Sequence, residues 1–372
     1  MRILLGINGQ QQGHFSRAAE LLPELRRRGF DVQTLSSGPP LDRPPAWLPD
    51  SHVHLAGLPY VEVDGRTDFA ATTRLWVRSL PTIARNRRRV AELIRRVRPD
   101  LIWSDFELYT GGPAVLDHDA PVLSVCRQVA VLDPQLMTAA AAATAGRGEA
   151  ITRTVIRLFA AGADRRLAYH LRPDSPLCLP PLLRSELAGT VPAAGRHLLV
   201  YNSQHFRAGG DAETLVDWAA RTGRPVRAYG FADHPRGERG GVTFRPASRD
   251  GLLADLASAA AVATTAGFAL PLEAAILGKP CLVVPLPGQF EQSVNARQLQ
   301  AAGYAAASDD WDFDRAVRLP PAQLAAADRE WLLQPIGAVV DRVLAVARTL
   351  SRKRRRSPRT GPLQGTQRVA DT

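Results

Sequence analysis

Short apolar runs alternate with amphipathic stretches along most of the chain. Residues 2–7 are apolar enough for a buried strand, and a polar loop, NGQQQGH, follows them. Residues 15–28 carry leucines at helical spacing, with Gly29 as the expected stop. A second apolar run, Val32 to Leu35, comes next. A strand, a loop, a helix and another strand in this order predict the start of a doubly wound parallel sheet.

The same alternation predicts two domains. In the first, strands are expected at 101–104 and 122–125, and residues 137–170 are expected to form an alanine-rich helix that breaks near Gly146 and Gly148. A proline-rich stretch then separates two α/β units. We therefore expect an N-terminal domain at 1–180, a linker at 181–195 and a C-terminal domain at 196–350. The last helix is expected at about 329–350, followed by a basic tail at 351–372.

Composition narrows the class of protein. A chain of 372 residues, 45% apolar and 22% charged, is typical of a globular protein with two domains. No run approaches the roughly 18 apolar residues of a transmembrane helix, and the apolar N-terminus is too short for a secretory signal. Three widely spaced cysteines, Cys126, Cys178 and Cys281, predict neither a disulfide framework nor a zinc site. We expect a protein of the cytoplasm.

The net charge of +11 does not by itself indicate a nucleic-acid-binding protein. The segment 351–372 holds seven basic residues and one acid, and so accounts for +6 of the total. Such a run is typical of a disordered, solvated tail, and contact with the anionic inner face of a membrane is left open. Lysine occurs only at 279 and 353, so arginine supplies nearly all the positive charge, as in proteins of GC-rich bacteria. No RNA-binding motif with interleaved aromatic residues accompanies it, so no nucleic-acid partner is expected.

The first polar loop carries the best candidate for a general base. His14 follows Gly13 in the loop after the first strand, and its imidazole is expected to stand open in a cleft. A histidine suits proton removal at neutral pH, and a carboxylate beside it would fix its tautomer. Asp105 ends a later parallel strand and is expected on the same edge of the sheet. Glu107, two residues on, is the second candidate for the base.

Residues 264–304 are the most informative segment of the chain. An apolar start runs into a turn at Gly267, and residues 278–280, Gly-Lys-Pro, close the helix that follows. Residues 281–285 predict a covered parallel strand, after which a proline-rich loop leads into a second helix. Both helices therefore begin on the carboxyl side of parallel strands. Open α/β sheets bind ligands there, and helix N-termini favour phosphate.

Two parts of this segment, GFALPLEAAILGKP at 267–280 and GQFEQSVNA at 288–296, resemble the donor motif of GT-B glycosyltransferases. The spacing is similar to that of plant-type family 1 enzymes and of the family 28 N-acetylglucosaminyltransferases that make lipid II. The wording of the second part is most similar to an uncharacterised prokaryotic branch related to both. The resemblance implies two Rossmann-like doubly wound parallel-sheet domains facing across a cleft. The last helix packing back on the N-terminal domain is left open.

The resemblance also implies roles for individual residues. His14 and Asp105 match the catalytic dyad of family 1 enzymes, and the loop GQQQGH is similar to the glycine-rich loop of the lipid II enzymes. Glu273 would accept hydrogen bonds from the ribose of the nucleotide, and Gln292 would bind the transferred sugar. Glu291 and Asn295 would lie beside Gln292, and Gly267 would let the diphosphate approach the backbone.

Two positions depart from the family pattern. Thr265 stands where plant-type enzymes have histidine and the lipid II enzymes have arginine, and Leu270 replaces a serine or threonine. Phosphate contacts would then rest on the Thr265 hydroxyl and on backbone amides. The loop after the first strand of the C-terminal domain offers further donors, namely Asn202, Ser203 and Gln204, with Arg207 as another candidate.

No Asp-x-Asp pair follows an apolar strand, and no G-x-G-x-x-G loop is present, so neither a metal nor a nicotinamide cofactor is expected. The expected activity is inverting, metal-independent transfer of a sugar from a nucleotide sugar, UDP-linked by resemblance, to a hydroxyl of a small or lipid-linked acceptor. Two alternatives stay open: a nucleotide-sugar 2-epimerase or hydrolase on the same fold, and a binding partner without catalysis. The sequence does not specify the oligomeric state.

Overall fold

The computed structural model describes residues 1–10, 12–41, 44–59, 61–63, 66–113, 119–137, 147–202, 212–231, 236–246 and 248–356. This part of the chain forms two seven-stranded sheets and one two-stranded ribbon. Each large sheet is covered by helices, which confirms the predicted α/β class with two parallel-dominated sheets.

The first sheet is parallel throughout. Its strands, in the order in which they lie side by side, are β3 (Val53–Ala56), β2 (Asp31–Gly38), β1 (Arg2–Asn8), β6 (Leu101–Asp105), β7 (Val122–Val125), β8 (Arg165–Tyr169) and β9 (Cys178–Leu179). The direction of strand addition reverses between β1 and β6, so a crevice opens at the carboxyl ends of these two strands. The ribbon consists of β4 (Glu62–Val63) and β5 (Arg66–Thr67).

The second sheet repeats the plan with one antiparallel edge. Its strands lie in the order β12 (Gly237–Arg239), β13 (Val242–Phe244), β11 (Val226–Tyr229), β10 (Leu198–Tyr201), β14 (Ala261–Thr265), β15 (Cys281–Val284) and β16 (Ala306–Ala307). Here the reversal falls between β10 and β14. The turn at Gly267 therefore follows a strand that borders the second crevice.

The described helices of the N-terminal half are α1 (Gln12–Arg27), α2 (Phe69–Val97), α3 (Leu108–Gly111) and α4 (Arg147–Phe159). Those of the C-terminal half are α5 (Ala212–Thr222), α6 (Arg249–Ala257), α7 (Ala269–Ile276), α8 (Phe290–Ala301), α9 (Phe313–Ala316), α10 (Ala326–Leu332) and α11 (Ile336–Arg356). Short 3-10 helices span Gln128–Leu132 and Ser185–Gly189.

Two predicted helices are wrong in extent. Within 137–170 the described part contains the shorter helix α4 and then the strand β8, because the apolar residues 167–169 fill a sheet position between β7 and β9. The predicted terminal helix is two helices, and Pro335 explains the break, since a residue before proline avoids the helical conformation. Helix α11 continues to Arg356, six residues past the boundary drawn at 350.

The last helix lies on the N-terminal sheet although it follows the second sheet in sequence. Val340, Val343 and Leu344 of α11 are buried in the same core cluster as Ile3 and Leu5 of β1. Arg28 at the end of α1 fixes the contact from outside, since its guanidinium bonds Asp341 Oδ1 at 2.5 Å and the Gly337 carbonyl at 3.0 Å. The helix therefore ties the two halves of the chain together.

We expect Leu344→Ala to destabilise the fold by about 2–5 kcal/mol, because it removes a buried side chain and leaves a cavity over the N-terminal sheet. Urea unfolding followed by circular dichroism measures the change. Arg348→Ala, an exposed position on the same helix, is the matched control and should stay within about 0.5 kcal/mol of wild type. Equal stability of the two variants would contradict the packing described.

Candidate active site

The register of the first sheet brings the two predicted catalytic residues together. Ile7 of β1 pairs with Asp105 of β6, so the loop that leads to His14 begins beside the Asp105 carboxylate. Asn8 braces the turn by donating from Nδ2 to the Phe106 carbonyl at 2.8 Å. Phe106 itself has a φ of 53°, a left-handed conformation that is uncommon for a bulky residue. The strand end is thus bent sharply where Asp105 is held.

His14 and Asp105 form a buried pair. The His14 Nδ1 lies 2.9 Å from Asp105 Oδ1, and both side chains are almost fully buried. The imidazole stacks on the Phe106 ring, with centroids 6.1 Å apart. His14 is only 2% exposed, so the expectation of an imidazole open to the cleft is wrong for this conformation. The pair has the geometry of a general base and the carboxylate that orients it, and in this conformation both side chains are shielded from solvent.

A third residue, Arg17, completes this cluster. Its Nε donates to Asp105 Oδ2 at 3.0 Å and its Nη2 to Asp105 Oδ1 at 2.9 Å. Burial raises the pKa of Asp105, but the charges of Arg17 and His14 outweigh it and hold that pKa below its usual value. Asp105 is therefore a carboxylate at neutral pH.

Glu107, the second candidate for the base, has its carboxylate hydrogen-bonded to neighbouring elements of the fold. Its carboxylate accepts hydrogen bonds from the Ser37 hydroxyl and from the backbone amides of Tyr109 and Thr110 at the start of α3. It is fully buried, and burial raises its pKa. This carboxylate caps a helix and joins β2 to the turn after β6.

Glu273 lies in α7 and is almost fully buried. Its Oε1 is 3.3 Å from Arg184 Nε, whereas its Oε2 has no hydrogen-bond partner in the described part of the chain. Burial raises the pKa of this carboxyl, and the charge of Arg184 offsets only part of the effect. A buried oxygen without a donor is costly, so the site fits a ligand that brings a hydroxyl group.

The turn before α7 leaves room for a ligand against the backbone. A Cβ built on Gly267 would meet nothing nearer than the Thr265 carbonyl at 4.0 Å, so the protein itself does not require glycine there. Thr265, at the end of β14, is buried. Asn202 is buried at the end of β10, and its backbone amide donates to the Tyr229 carbonyl at 3.0 Å. Ser203, Gln204 and Arg207 lie outside the described residues.

The three residues of α8 predicted to bind the donor have different surroundings. Gln292 binds its own loop, accepting from the Leu286 amide at 3.0 Å and donating to Gln289 Oε1 at 3.3 Å. Asn295 is buried and donates from Nδ2 to the Ala266 carbonyl at 3.2 Å. Glu291 accepts from Gln128 Nε2 of the N-terminal domain at 3.1 Å. Burial raises the Glu291 pKa, while the charges of His14, Arg127 and Arg17 lower it in part. Glu291 therefore contacts the N-terminal domain through Gln128 and lies within electrostatic reach of His14 and Arg17.

Arg127 was missed by sequence reasoning and crosses between the domains. It follows β7, and its guanidinium lies over the Phe268 ring at 4.5 Å. Its Nε donates to Asn295 Oδ1 at 3.2 Å, and its Nη2 to Gln298 Oε1. These partners are neutral, and burial lowers the Arg127 pKa to about 10. Its position two residues after a covered strand is not a specific signal in the sequence.

Two further arginines, Arg184 and Arg249, were also missed. Besides its contact with Glu273, Arg184 donates from Nη1 to the Arg249 carbonyl at 3.1 Å. Arg249 bonds Glu20 of α1 and, at 2.8 Å, Glu186 in the segment between the two sheets. Groups from that segment and from helices of both halves of the chain therefore lie near Glu273.

The described residues contain no cluster of three or more histidine, cysteine, aspartate or glutamate side chains arranged to hold a metal ion. The three cysteines are buried, and burial raises the pKa of Cys126 and of Cys281 to about 12. These thiols are unsuited to act as nucleophiles at neutral pH. In the described part of the chain, no helix is both long enough and apolar enough to cross a membrane.

Two parallel-dominated sheets covered by helices are the fold of the GT-B glycosyltransferases. A model of glycosyl transferase family 1 matches residues 1–319. The chain therefore belongs to glycosyl transferase family 1 and is a glycosyltransferase, as predicted.

Solved structures agree with this fold at low sequence identity. The spinosyn rhamnosyltransferase SpnG is 19% identical with a TM-score of 0.50, covering 96% of each chain. UGT89C1 of Arabidopsis thaliana, in complex with UDP-L-rhamnose, is 14% identical with a TM-score of 0.56, over 94% of this chain and 99% of that one. UGT2 of Phytolacca americana, in complex with UDP-2-fluoro-glucose and pterostilbene, is 16% identical with a TM-score of 0.54, over 97% and 96%. No curated protein matches the chain.

We expect Glu273→Gln to raise the free energy of unfolding at pH 8, because wild type must keep a carboxylate ionised where burial raises its pKa. The folded-state pKa of Glu273 lies above the unfolded value, so wild-type stability is lost as the pH rises through it. The advantage of the variant should therefore shrink towards pH 5. Scanning calorimetry at both pH values measures the difference.

Glu330→Gln, at an exposed glutamate, is the control for this comparison and should show no such dependence on pH. A lower melting temperature of Glu273→Gln than of wild type at pH 8 would contradict the interpretation of the buried carboxyl.

Proposed function

We propose that this glycosyltransferase moves a sugar from a nucleotide sugar, most simply a UDP-sugar, to an acceptor hydroxyl with inversion and without a metal ion. The observation that carries the proposal is the His14–Asp105 pair at 2.9 Å on the first domain, with Glu291 of the motif segment hydrogen-bonded to Gln128 of the same domain. UGT89C1 and UGT2, which share the fold, have been solved with UDP-sugars. That likeness supports the class of donor and leaves the sugar unassigned.

Glu273 is the proposed anchor of the donor. Its unpartnered Oε2 would accept a hydrogen bond from a ribose hydroxyl, which would satisfy an oxygen that is otherwise buried without a donor. Arg184, on Oε1, would hold the carboxylate in its ionised form. The nucleotide would then lie along the carboxyl edge of the second sheet.

The diphosphate would sit at Gly267 and the N-terminus of α7. The open backbone at Gly267 and the amides that begin the helix favour an anion. Arg127 is a buried cation over Phe268, the residue before α7, and its side-chain hydrogen bonds go to Asn295, Gln298 and the Tyr169 carbonyl. Thr265 supplies a hydroxyl at the same strand end. Glu291 and Gln292 would bind hydroxyls of the transferred sugar, and Gln292 would have to exchange its bonds within the loop for bonds to that sugar.

The proposed chemistry is a direct displacement. His14 Nε2 takes the proton of the acceptor hydroxyl as the oxygen bonds to the anomeric carbon, and the bond from that carbon to the diphosphate breaks with its electron pair. Asp105 stabilises the imidazolium through Nδ1. Since His14 is buried, the domains or the loops over the cleft must part to admit the acceptor.

We expect His14→Ala to lower turnover by about 10²–10⁴-fold, because the general base is lost, while the Kd for the nucleotide changes little. Initial rates with a screened donor and acceptor give turnover, and calorimetry with the nucleotide product gives Kd. Unchanged turnover would remove His14 from the mechanism. Loss of nucleotide binding as well would mean that His14 supports the fold.

The wild-type assay carries its own controls. The rate should be unaffected by EDTA, and proton NMR should show the product anomer opposite to that of the donor. Sugar released without any acceptor, or a donor epimerised at C2, would favour the hydrolase or the epimerase over a transferase.

The N-terminal domain, which would bind the acceptor, also has an exposed helix face that bears on contact with a membrane. Helix α2 exposes Val77 and Leu80, and farther along the same face it exposes Arg87, Arg88 and Arg95. We propose that this face contacts anionic lipid, which would place a lipid-linked acceptor near the N-terminal domain. A small soluble acceptor needs no such contact.

Replacing Arg87 and Arg88 by glutamate should weaken binding to phosphatidylserine vesicles by about tenfold or more, since each arginine near such a surface is worth about 1 kcal/mol. Cosedimentation at low and high salt measures this. Arg224→Glu with Arg236→Glu, an exposed pair in the second domain, is the charge-matched control. Equal binding by both double variants, or binding to neutral vesicles, would contradict the proposal.

A further inference from the structure

Arg17 is a largely buried cation that the proposed chemistry does not yet use. It lies one helical turn after His14 on α1, and its fork reaches both oxygens of Asp105, at 2.9 and 3.0 Å. Paired bonds of this kind fix the plane of a carboxylate as well as its charge. Asp105 therefore has one orientation in the structure, and Arg17 sets it.

The contacts of His14 show why that orientation matters. Its Nδ1 lies 2.9 Å from Asp105 Oδ1 and 2.6 Å from Arg17 Nη2. A ring nitrogen has one in-plane position for a proton or a lone pair, so Nδ1 either donates to Asp105 or accepts from Arg17. Only a proton on Nδ1 leaves the neutral ring with a basic Nε2.

The electrostatics favour donation to Asp105. The Arg17 fork directs its Nε proton and one Nη2 proton at the carboxylate, and its second Nη2 proton is the competing donor to a bare Nδ1. A ring N–H facing a carboxylate forms a charge-assisted bond, whereas a bare nitrogen there would face the negative oxygen at 2.9 Å. The ionised Asp105 is thus the stronger partner for Nδ1.

Three further residues, from different elements, lie near Arg17. Its Cζ lies 5.6 Å from the centre of the Tyr169 ring on β8. Cys126 lies near Arg17 after β7, and Glu291 of α8 is near enough to Arg17 and His14 for their charges to lower its pKa in part. Burial raises the pKa of Tyr169 and of Cys126, so both are neutral at ordinary pH, and burial raises the pKa of Glu291 as well.

We propose that Arg17 is a positioning residue for the His14–Asp105 pair: it keeps Asp105 ionised and oriented so that His14 carries its proton on Nδ1 and presents Nε2 as the base. The inference rests on the proposed function for its effect on turnover. Its effect on the histidine tautomer does not depend on any assay of transfer.

The first test is a double-mutant cycle in the full-length protein with Arg17→Met and Asp105→Asn. Arg17→Met should lower kcat by about 10²-fold while the KM for the donor and the calorimetric Kd for the nucleotide stay within about twofold. Because Arg17 acts through Asp105, it should cost less than about threefold when Asp105 is already asparagine. Independent, multiplying losses would overturn the proposal.

Conservative replacement separates positioning from structural support. Arg17→Lys keeps a charge near Asp105 but loses the fork, so its kcat should lie between those of wild type and Arg17→Met. Removing the cation lets burial raise the pKa of Asp105, so Arg17→Met should lose activity at a higher pH than wild type as the pH falls. A purely structural role would lower the melting temperature of both variants and leave this acid limb unmoved.

The second test reads the tautomer directly. In ¹⁵N-histidine protein, with the His14 signal assigned by its loss in His14→Gln, wild type should show a protonated Nδ1 and a bare Nε2. Arg17→Met should show a mixture of tautomers. A proton on Nε2 in wild type would overturn the proposal. The predicted tautomer together with no transferase activity for any donor would instead reject the proposed function and leave the positioning role standing.

Discussion

Burial of charge where the carboxyl edges of the two sheets meet is the constraint on which this structure depends. Asp105, Glu273 and Arg127 are each nearly fully buried there, and a buried charge must be paired or it destabilises the fold. Asp105 is satisfied by Arg17 and His14. Glu273 is only partly satisfied, because one oxygen has no partner in the described part of the chain. The buried groups that lack a hydrogen bond or a partner of opposite charge, Glu273 and Arg127, lie where a charged, hydroxyl-rich ligand would supply these contacts.

The same constraint links the two domains. Arg127 leaves the first sheet and contacts Asn295 of the second domain, and Gln128 reaches Glu291. Glu20 of α1, in the first domain, also bonds Arg249 of α6, in the second. Helix α11 adds an apolar tie, since it follows the second domain in sequence and packs on the first sheet. Opening of the cleft would break polar contacts that substrate binding could replace.

Sequence patterns could predict those parts of the site that are local in the chain. The turn at Gly267 and the two helix starts follow directly from glycine, proline and apolar runs. The His14–Asp105 pair could also be predicted, because both residues follow parallel strands and such strand ends share an edge. Arg17 and Arg127 could not be predicted as site residues, because their partners lie 88 and 168 residues away in sequence. An arginine on a helix or after a strand has no specific signature. Pro335 was visible as a helix break and was overlooked.

The central claim is that Glu273 holds the nucleotide of the donor, and calorimetric titration of UDP into wild type, Glu273→Ala and the exposed control Glu330→Ala tests it most directly. Charge-assisted hydrogen bonds are worth about 1.5–3 kcal/mol, so Glu273→Ala should bind about 10- to 100-fold more weakly than the other two proteins. Equal affinity in all three would show that the nucleotide lies elsewhere and would contradict the account.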